Sequence, residues 1–338
     1  MASTLTHPEW NEKAGGFEVA KAFADQVRGK NVLITGVSPE SIGSAIALSF
    51  ASQSPNLLIL ASRTKHKLEE VSNSIKNAYP QVNVKIVMLD LMSQASVKEA
   101  AATVSKLTDR LDLIINNAGI MTQKRQTTKE GIEGQFGANH IGHFLLTNSL
   151  TPQLLAAAQK NPPGFTRVIN LTSLGHRLSP VRFSDYNLTG KEVPPEEMHA
   201  PLPPAFAGTS EDGYNGFVAY GQGKTANILF SLGLNERLQE KGVVSYAVHP
   251  GSIWTGLSRD LDPEGEAAIK NTSTFWKTLD QGASTVLVAA LDPALKPSQG
   301  VLLHDCQISD AAPHATNPDA VERLWKLSET LVEGRTET

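Results

Sequence analysis

The chain has 338 residues, a formal net charge of -4 and a pI near 6.2, with 40% hydrophobic and 19% charged residues. This balance suits one large α/β domain, or two at most, and excludes a protein that binds nucleic acid through basic charge. The one cysteine, Cys306, cannot form an internal disulfide and is expected to be a small core residue, and no apolar run reaches the length of a membrane helix. These features predict a soluble, cytoplasmic protein without a membrane span.

The first elements resemble a dinucleotide-binding unit. Residues 1–29 form a polar extension in which a short helix is predicted around 17–27. A strand over Asn31–Thr35 leads into the loop Gly36–Gly43 and a helix over Ser44–Ala51. In such a unit glycine lets the backbone approach a pyrophosphate, and the free N–H groups at the helix start favour negative charge. A loop between unrelated elements would look similar, so that alternative stays open here.

The second predicted strand, Leu57–Ser62, indicates which cofactor would bind. Dinucleotide folds place the residue that reads the ribose about 20 positions beyond the glycine motif, acidic for NAD and arginine for NADP. Arg63 stands 20 positions after Gly43 and is followed by Lys65 and Lys67. A surface basic cluster that opens a helix is the alternative. The position favours NADP(H).

Further strands are predicted over Val82–Leu89 and Leu111–Ile115, and helices over 65–78 and 93–107, then one long helix from Lys129 to about Gln159. Strands that alternate with helices predict a doubly wound parallel sheet of about seven strands, a single-domain Rossmann fold of the α/β class. Ligands bind at the carboxyl ends of strands in such sheets. The residues expected at these ends are Gly36, Arg63, Asp90 and Asn117.

The long predicted helix contains three polar residues of interest. Asn139 is an interior amide that would cap or kink the helix or bind a water, unless it is an ordinary polar residue. His140 and His143 would share one helix face, but no acidic or cysteine partner has the spacing of a metal site. We therefore predict no metal.

The second half is predicted to carry the reactive side chains. A strand over Phe165–Thr172 ends at Ser173, whose hydroxyl would face the ligand crevice or cap a helix. The following helix, predicted to stop near Gly242, places Tyr220 and Lys224 four positions apart and therefore on one face. A cation beside a phenol lowers the pKa of the phenol and makes it a usable proton donor near neutrality. A partly exposed helix face would explain the pair equally well.

Two irregular segments flank that helix. The proline- and glycine-rich insertion 176–217 is interpreted as a lid, with a disordered surface insertion as the alternative. A strand over Val243–Val248 leads to the loop 252–277, which is suited to closing over a substrate. A helix is then predicted over 278–291, a final strand over 300–304, and a C-terminal extension, 306–338, with a helix over 318–332. No linker is evident, so residues 30–305 are taken as one domain.

Taken together, these motifs resemble the short-chain dehydrogenase/reductase superfamily over roughly residues 30–305, most closely the branch of retinol dehydrogenases and the WW-domain-containing oxidoreductase. Two positions depart from the pattern: Ser41 replaces a middle glycine in a loop that is one residue longer, and Gly223 replaces a serine. The motifs in question are Thr35-Gly36 to Gly43, Asp90, Asn116–Gly119, Asn139, Ser173, Tyr220-x-x-x-Lys224 and Pro250-Gly251 to Thr255.

The resemblance implies a role for each matching residue. Tyr220 would be the general acid in reduction, Ser173 would bind the carbonyl oxygen, Lys224 would contact the ribose and Asn139 would hold a relay water. Asp90 would face the adenine, and Ile253 and Thr255 would meet the carboxamide. The cofactor-binding residues implied are Gly36, Ser38, Ser41, Ile42, Gly43, Arg63, Asp90, Leu91, Asn117, Ala118, Gly119, Tyr220, Lys224, Pro250, Gly251, Ile253 and Thr255.

The implied activity is NADP(H)-dependent hydride transfer between nicotinamide and a carbonyl or alcohol carbon. Aromatic residues of the two irregular segments favour an apolar or aromatic ketone or aldehyde as substrate: Phe183, Phe206, Phe217, Trp254, Phe275 and Trp276. A redox-neutral lyase, dehydratase or isomerase on the same fold, or a non-catalytic NADP(H)-binding regulator, are the alternatives. Homo-oligomerisation stays open.

Overall fold

An eight-stranded sheet organises the chain in the computed structural model, which describes residues 5–333. The strand order is β3-β2-β1-β4-β5-β6-β7-β8, and every neighbouring pair is parallel except β7 and β8. The strands are β1 (Asn31–Thr35), β2 (Leu57–Ser62), β3 (Val84–Met88), β4 (Leu113–Asn116), β5 (Thr166–Leu171), β6 (Val243–His249), β7 (Leu302–His304) and β8 (Gln307–Ser309). The predicted α/β Rossmann class is therefore confirmed, with one strand more than predicted.

The central strands are apolar runs because both faces of the sheet are covered by helices. Every residue of β1, β4, β5 and β6 is buried, whereas the edge strand β3 is buried only at Val84 and Val87. The helices are α1 (Gly16–Ala22), α2 (Ala24–Val27), α3 (Ile42–Ala51), α4 (Lys65–Ala78), α5 (Gln94–Leu107), α6 (Gly134–Phe136), α7 (Gly142–Ser149), α8 (Thr151–Ala158), α9 (Gly216–Leu238), α10 (Pro263–Lys270), α11 (Leu279–Leu291) and α12 (Pro318–Glu333). Among these described helices, none has the length and apolar character to cross a membrane.

The single helix predicted from Lys129 to Gln159 is wrong. Residues 127 and 133 form an isolated antiparallel bridge, and helical structure starts only at Gly134. It passes through a π-helical turn, Gly137–Ile141, and is interrupted again at Leu150, where α7 gives way to α8. The polar and apolar spacing of the segment was compatible with one regular helix, although Pro152 marks the start of α8 and Gly137 and Gly142 flank the π turn.

The N-terminal residues belong to the core, contrary to the expectation of a polar extension. Leu5, Trp10, Val19 and Phe23 are buried in the same apolar cluster as α3 and α11. Gly16 allows this close contact, because a Cβ there would lie 2.8 Å from Ser49 Oγ and 2.9 Å from the Ala283 side chain. At the other end, α12 packs against α9, where Trp325 lies over Gly233.

The insertion 176–217 is built from short 3-10 turns that are bound to the rest of the chain. Arg125 is its main anchor: the guanidinium donates to the carbonyl oxygens of Asn187 (2.8 Å) and Leu188 (2.9 Å), pairs with Asp212 and lies over the Tyr214 ring. Tyr214 in turn donates to the buried Glu133 carboxylate at 2.8 Å. Its lid function remains a prediction.

Candidate active site

Four strand ends converge at the carboxyl edge of the sheet. Gly36 follows β1, Arg63 follows β2, Asp90 comes two residues after β3, and Asn117 follows β4. These strands are adjacent and parallel, so their carboxyl ends meet, as the sequence predicted. The edge is therefore a continuous crevice lined from four separate parts of the chain.

The loop between β1 and α3 needs glycine at two positions. Gly36 has a φ of +72°, and a Cβ there would lie 2.6 Å from Ala118 Cα. A Cβ on Gly43 would lie 2.6 Å from the carbonyl oxygen of Gly36. The backbone of the loop, β4 and the first turn of α3 is thus packed too closely for any side chain, which leaves main-chain N–H groups to face a ligand.

Ser41, the departure from the expected glycine, caps the helix. Its Oγ accepts from Ser44 N (3.1 Å) and donates to the Ser38 carbonyl (2.6 Å). The extra loop residue is accommodated by Glu40, which takes a left-handed φ of +52°. Ser38 and Ile42 are half-buried at the crevice. The side chain of Ser41 is therefore committed to α3, and its backbone N–H also donates within this turn, to Ser44 Oγ at 3.2 Å.

The residues expected to line an adenosine site differ in whether their side chains already have hydrogen-bond partners. Arg63 is exposed and makes no hydrogen bond or ion pair within residues 5–333, so its guanidinium is available to an anion. Asp90 accepts from Met92 N at 3.0 Å, and Leu91 packs against Gly142. Asn117 uses its amide to hold β1, donating to the Thr35 carbonyl at 2.7 Å. Asn117 therefore shapes the crevice through the backbone that it holds.

The catalytic candidates meet at the end of β5 and on one face of α9. Ser173 Oγ accepts from Gly175 N at 3.1 Å, and a Cβ on Gly175 would lie 3.1 Å from the Tyr220 ring and 3.4 Å from Ser173 Oγ. Lys224 Nζ lies 5.4 Å from the Tyr220 ring centroid and donates to the Leu171 carbonyl at 3.2 Å. Hydroxyl, phenol and ammonium thus surround one small volume.

The crevice continues from these groups to Asn139 without an intervening side chain. A Cβ on Gly119 would lie 3.3 Å from Asn139 Oδ1 and 3.4 Å from Lys224 Nζ. The absence of a side chain at Gly119 therefore opens space beside both polar atoms. This space, the close-packed glycine loop and the exposed cation of Arg63 fit an elongated dinucleotide.

Asn139 lies in the π-helical turn, so the regular helix predicted around it is interrupted at this residue. Its Oδ1 accepts from Ile120 N at 2.8 Å and its Nδ2 donates to the Ile120 carbonyl at 3.0 Å. The Asn139 carbonyl oxygen contacts His143 Nδ1 at 3.1 Å. The amide therefore holds the segment after β4 at Ile120, and its expected water-holding role stays a prediction.

Burial dominates the electrostatics of the site. It raises the pKa of Tyr220 to about 12, while the hydrogen bond with Ser173 acts in the opposite direction. Burial likewise lowers the pKa of Lys224 to about 8. The prediction that Lys224 would bring the pKa of Tyr220 below its ordinary value is thus wrong for the protein alone, because burial disfavours the charged phenolate and raises the pKa instead. At neutral pH Tyr220 holds its proton.

The segment after β6 packs against Lys277, a residue that the sequence did not single out. Gly251 has a φ of +99°, and a Cβ there would lie 2.7 Å from the stem of the buried Lys277. Pro250 is buried, Ile253 packs against Gly282, and Thr255 caps a 3-10 turn. Lys277 Nζ lies 2.6 Å from Asp305 Oδ1. Because Lys277 and Asp305 are separated by 27 residues, no local sequence pattern indicated the pair.

Apolar side chains cover the phenol on the substrate side. Phe206 of the insertion meets Phe217 edge to face at 4.7 Å, and Ala268 and Ile269 of α10 join the same cluster with Tyr220. The insertion and the loop 252–277 therefore meet over the phenol. Four of the aromatics singled out in the sequence lie outside the cluster: Phe183 under Arg323, the paired rings of Trp254 and Trp276, and the exposed Phe275.

Fold and site together define a Rossmann protein with a dinucleotide crevice that ends at a serine, a tyrosine and a lysine. The family model for short chain dehydrogenase matches residues 30–189. The chain is 34% identical to retinol dehydrogenase 13 of Homo sapiens, over 90% of this chain and 85% of that one. It is 35% identical to oxidoreductase fscI of Fusarium equiseti, over 70% of this chain and 92% of the other.

The chain belongs to the short-chain dehydrogenase/reductase family and resembles its retinol dehydrogenase branch. Among solved structures, an uncharacterised protein from Mycobacterium paratuberculosis aligns with a TM-score of 0.64 and 26% identity, covering 91% of this chain and 95% of that one. The NADPH-bound carbonyl reductase from chicken fatty liver aligns with a TM-score of 0.58 and 22% identity, covering 84% and 100%, and supports the fold alone. The family and its fold indicate an oxidoreductase.

Proposed function

We propose that the protein is an NADP(H)-dependent oxidoreductase that reduces a ketone or aldehyde on an apolar or aromatic compound, or oxidises the corresponding alcohol. The observation that carries the proposal is the meeting of Ser173, Tyr220 and Lys224 at the end of a crevice that begins at the glycine loop. When bound, the nicotinamide supplies the hydride. The chain supplies placement, a proton and hydrogen bonds.

Tyr220 is the proton donor in the direction of reduction. Its raised pKa keeps the phenol protonated at neutral pH, and the phenol faces the same small volume as the Ser173 hydroxyl. An oxygen of a carbonyl substrate placed there would accept a hydrogen bond from each group. As negative charge develops on that oxygen, both bonds strengthen, and the Tyr220 proton moves to it.

Lys224 compensates the charge that this transfer leaves on Tyr220. Its ammonium lies 5.4 Å from the ring centroid and is anchored by the Leu171 carbonyl, so it does not need to move to reach the phenolate side of the site. With a pKa of about 8, it is mostly charged at pH 7. A buried cation favours the phenolate, which lowers the cost of proton release in each turnover.

Arg63 supports the choice of NADP(H) over NAD(H). It stands at the carboxyl end of β2, where such folds read the ribose, and its exposed guanidinium is unpaired within residues 5–333. Guanidinium groups bind phosphate through paired hydrogen bonds, whereas an acidic residue at this position would repel it. The apolar cluster over Tyr220 supports an apolar substrate in the same way.

The test of the acid assignment is Tyr220→Phe. We expect NADPH consumption with a panel of apolar ketones and aldehydes to fall by about 10²–10⁴-fold, the range of a lost general acid, with the Kd for NADPH nearly unchanged. Tyr246→Phe is the matched control, because Tyr246 is a buried tyrosine on β6 that donates to the Leu295 carbonyl at 3.2 Å. Near-normal turnover by Tyr220→Phe would refute the assignment, and product formed without NADPH consumption would identify a redox-neutral enzyme.

The cofactor preference is tested separately with Arg63→Asp. The change should weaken NADPH binding by at least about tenfold, the loss of one charge-assisted contact, and leave NADH binding much less affected. Lys67→Asp is the matched control, since Lys67 is an exposed cation on the following helix. Equal losses for the two cofactors, or an equal effect of the control, would exclude Arg63 as the phosphate-reading residue.

A further inference from the structure

A cavity of about 310 Å³ lies behind the wall that covers the phenol. It is partly open to solvent and is lined by the insertion and by the start of α9, which contributes Asn215 and Val218. Val218 and Tyr220 are two positions apart, which is about 200° around a helix, so the cavity and the catalytic phenol lie on opposite sides of α9. Its volume is at the lower end of the range of small-molecule sites.

The lining combines an apolar floor with a cation. Leu188 and Val218 are buried in one cluster, with Leu202 packed against it. Arg182 also lines the cavity, and its buried Nε has no hydrogen-bond partner in the part of the chain that the structure describes. Because a guanidinium forms strong charge-assisted hydrogen bonds, an anionic group that reaches Arg182 from the cavity would bind favourably.

The carboxylate nearest to Arg182 does not supply that acceptor. Asp185 lies 3.7 Å from the terminal nitrogen of the guanidinium. Its oxygens accept from Thr189 N and Oγ1, both at 2.8 Å, and from Gly190 N at 3.1 Å, so they are committed to the local turn. Asp185 therefore fixes the position of the guanidinium, which lines the cavity and makes no side-chain hydrogen bond within the part of the chain that the structure describes.

We propose that this cavity binds a small amphipathic carboxylate, with the acid group on Arg182 and the hydrocarbon body on Leu188, Leu202 and Val218. Apolar contact and one charge-assisted hydrogen bond are the two features that such a molecule offers. A neutral hydrocarbon would leave the Arg182 donor unpartnered, and an inorganic anion would leave the apolar floor uncovered. The site is separate from the cofactor crevice and from the substrate pocket.

The position of the cavity couples it to the substrate pocket. Leu202, Ala207 and Thr209 line the cavity, whereas Phe206, in the same segment, packs on Phe217 beside Tyr220. Asn215 Nδ2 donates to the Phe206 carbonyl at 2.8 Å and joins the two sides. An occupied cavity should therefore hold Phe206 in place and lower the KM for the substrate, and this coupling, unlike the binding, rests on the proposed function.

The test is calorimetric titration of the full chain with octanoate. We expect saturable binding, with octanamide at least about tenfold weaker because it lacks the charge that Arg182 recognises. Arg182→Met should weaken octanoate binding by a similar factor, while Arg177→Met, a change at an exposed arginine bonded to the Asp310 carbonyl, should not. Ala207→Phe should block the cavity without touching the catalytic or cofactor residues, and should weaken octanoate binding even if Arg182→Met fails to fold.

Each binding measurement supports or overturns the proposal, and none of them requires turnover by the enzyme. Weaker binding by both Arg182→Met and Ala207→Phe, with Arg177→Met unchanged, supports it. Undiminished binding by Ala207→Phe would place octanoate elsewhere, such as the apolar pocket over Tyr220, and would overturn it. Equal affinities for octanoate and octanamide, or no saturable binding, would overturn it as well. Loss of activity in Tyr220→Phe has no bearing on these measurements, so the two proposals fail separately.

Discussion

Removing either partner of the Lys277–Asp305 pair should destabilise the protein, but by unequal amounts. The side chain of Lys277 is 2% exposed and that of Asp305 is 33% exposed. Their charged atoms lie 2.6 Å apart without the geometry of a directional hydrogen bond, so the interaction is Coulombic. Asp305→Asn leaves an ammonium buried without a counter-charge, whereas Lys277→Met leaves a carboxylate that water and His304, at 3.3 Å, can reach.

The expected magnitudes follow from this difference in burial. Removing the partner of a buried charge costs about 3–5 kcal/mol, because the charge that remains is buried without compensation. For Asp305→Asn we expect about 3 kcal/mol, because the pair is exposed to solvent at the Asp305 end. Lys277→Met should cost about 1 kcal/mol, since methionine keeps the stem that packs on Gly251 and the remaining carboxylate is solvated. The double variant should resemble Lys277→Met alone.

Equilibrium urea unfolding at pH 7 measures the free energy of unfolding of the wild type, both single variants and the double variant. The loop 252–277 is closed at this point by a backbone bond from Lys277 N to the Ser252 carbonyl at 2.9 Å, so the Kd for NADPH is a second measurement. Equal losses in the two single variants, or additive losses in the double variant, would refute the account of a buried ammonium held by a solvated carboxylate.

Two further predictions concern the helices around Asn139 and Lys224. Burial lowers the pKa of His140 to about 3, so the folded chain binds fewer protons than the unfolded chain below pH 6.5, and stability falls as the pH drops. His140→Leu should therefore lose about 2 kcal/mol less free energy of unfolding than the wild type between pH 7 and pH 5, and equal losses would contradict this. Gly223→Ala should raise the free energy of unfolding by about 0.5–1 kcal/mol, because alanine favours the helix and its Cβ would lie 3.4 Å from the nearest atom, the Gln135 carbonyl oxygen. A loss of stability would show that the helix is packed too tightly at this position for a Cβ.

Much of the sheet could be predicted from local sequence. The runs Asn31–Thr35 and Leu57–Ser62 form strands with the predicted bounds, and the helix Lys65–Ala78 likewise. These elements follow from the spacing of apolar residues a few positions apart, which can be read from the local sequence. The pairing of Tyr220 with Lys224 has the same origin, because four helical positions place two side chains on one face wherever the helix packs.

Contacts between distant residues decided the rest. The N-terminal residues 5–27 look polar as a stretch, but Trp10 and Phe23 are buried because α3 and α11 leave room for them. The strand β8 exists because Asp305 and Cys306 take left-handed conformations that turn the chain back along β7. The π-helical turn likewise holds Asn139 against Ile120, in the segment after β4, and the periodicity of the sequence does not show this contact.

The pKa of Tyr220 shows most clearly the difference between what the local sequence predicts and what the tertiary structure decides. Its spacing to Lys224 correctly places a cation nearby, and from that alone a lowered pKa follows. The tertiary structure removes the phenol from water under Phe217 and Ala268, and this desolvation reverses the direction. Sequence thus determined which groups are neighbours along α9, whereas the environment that sets their chemistry came from residues as distant as Met121, since burial is a property of the whole fold.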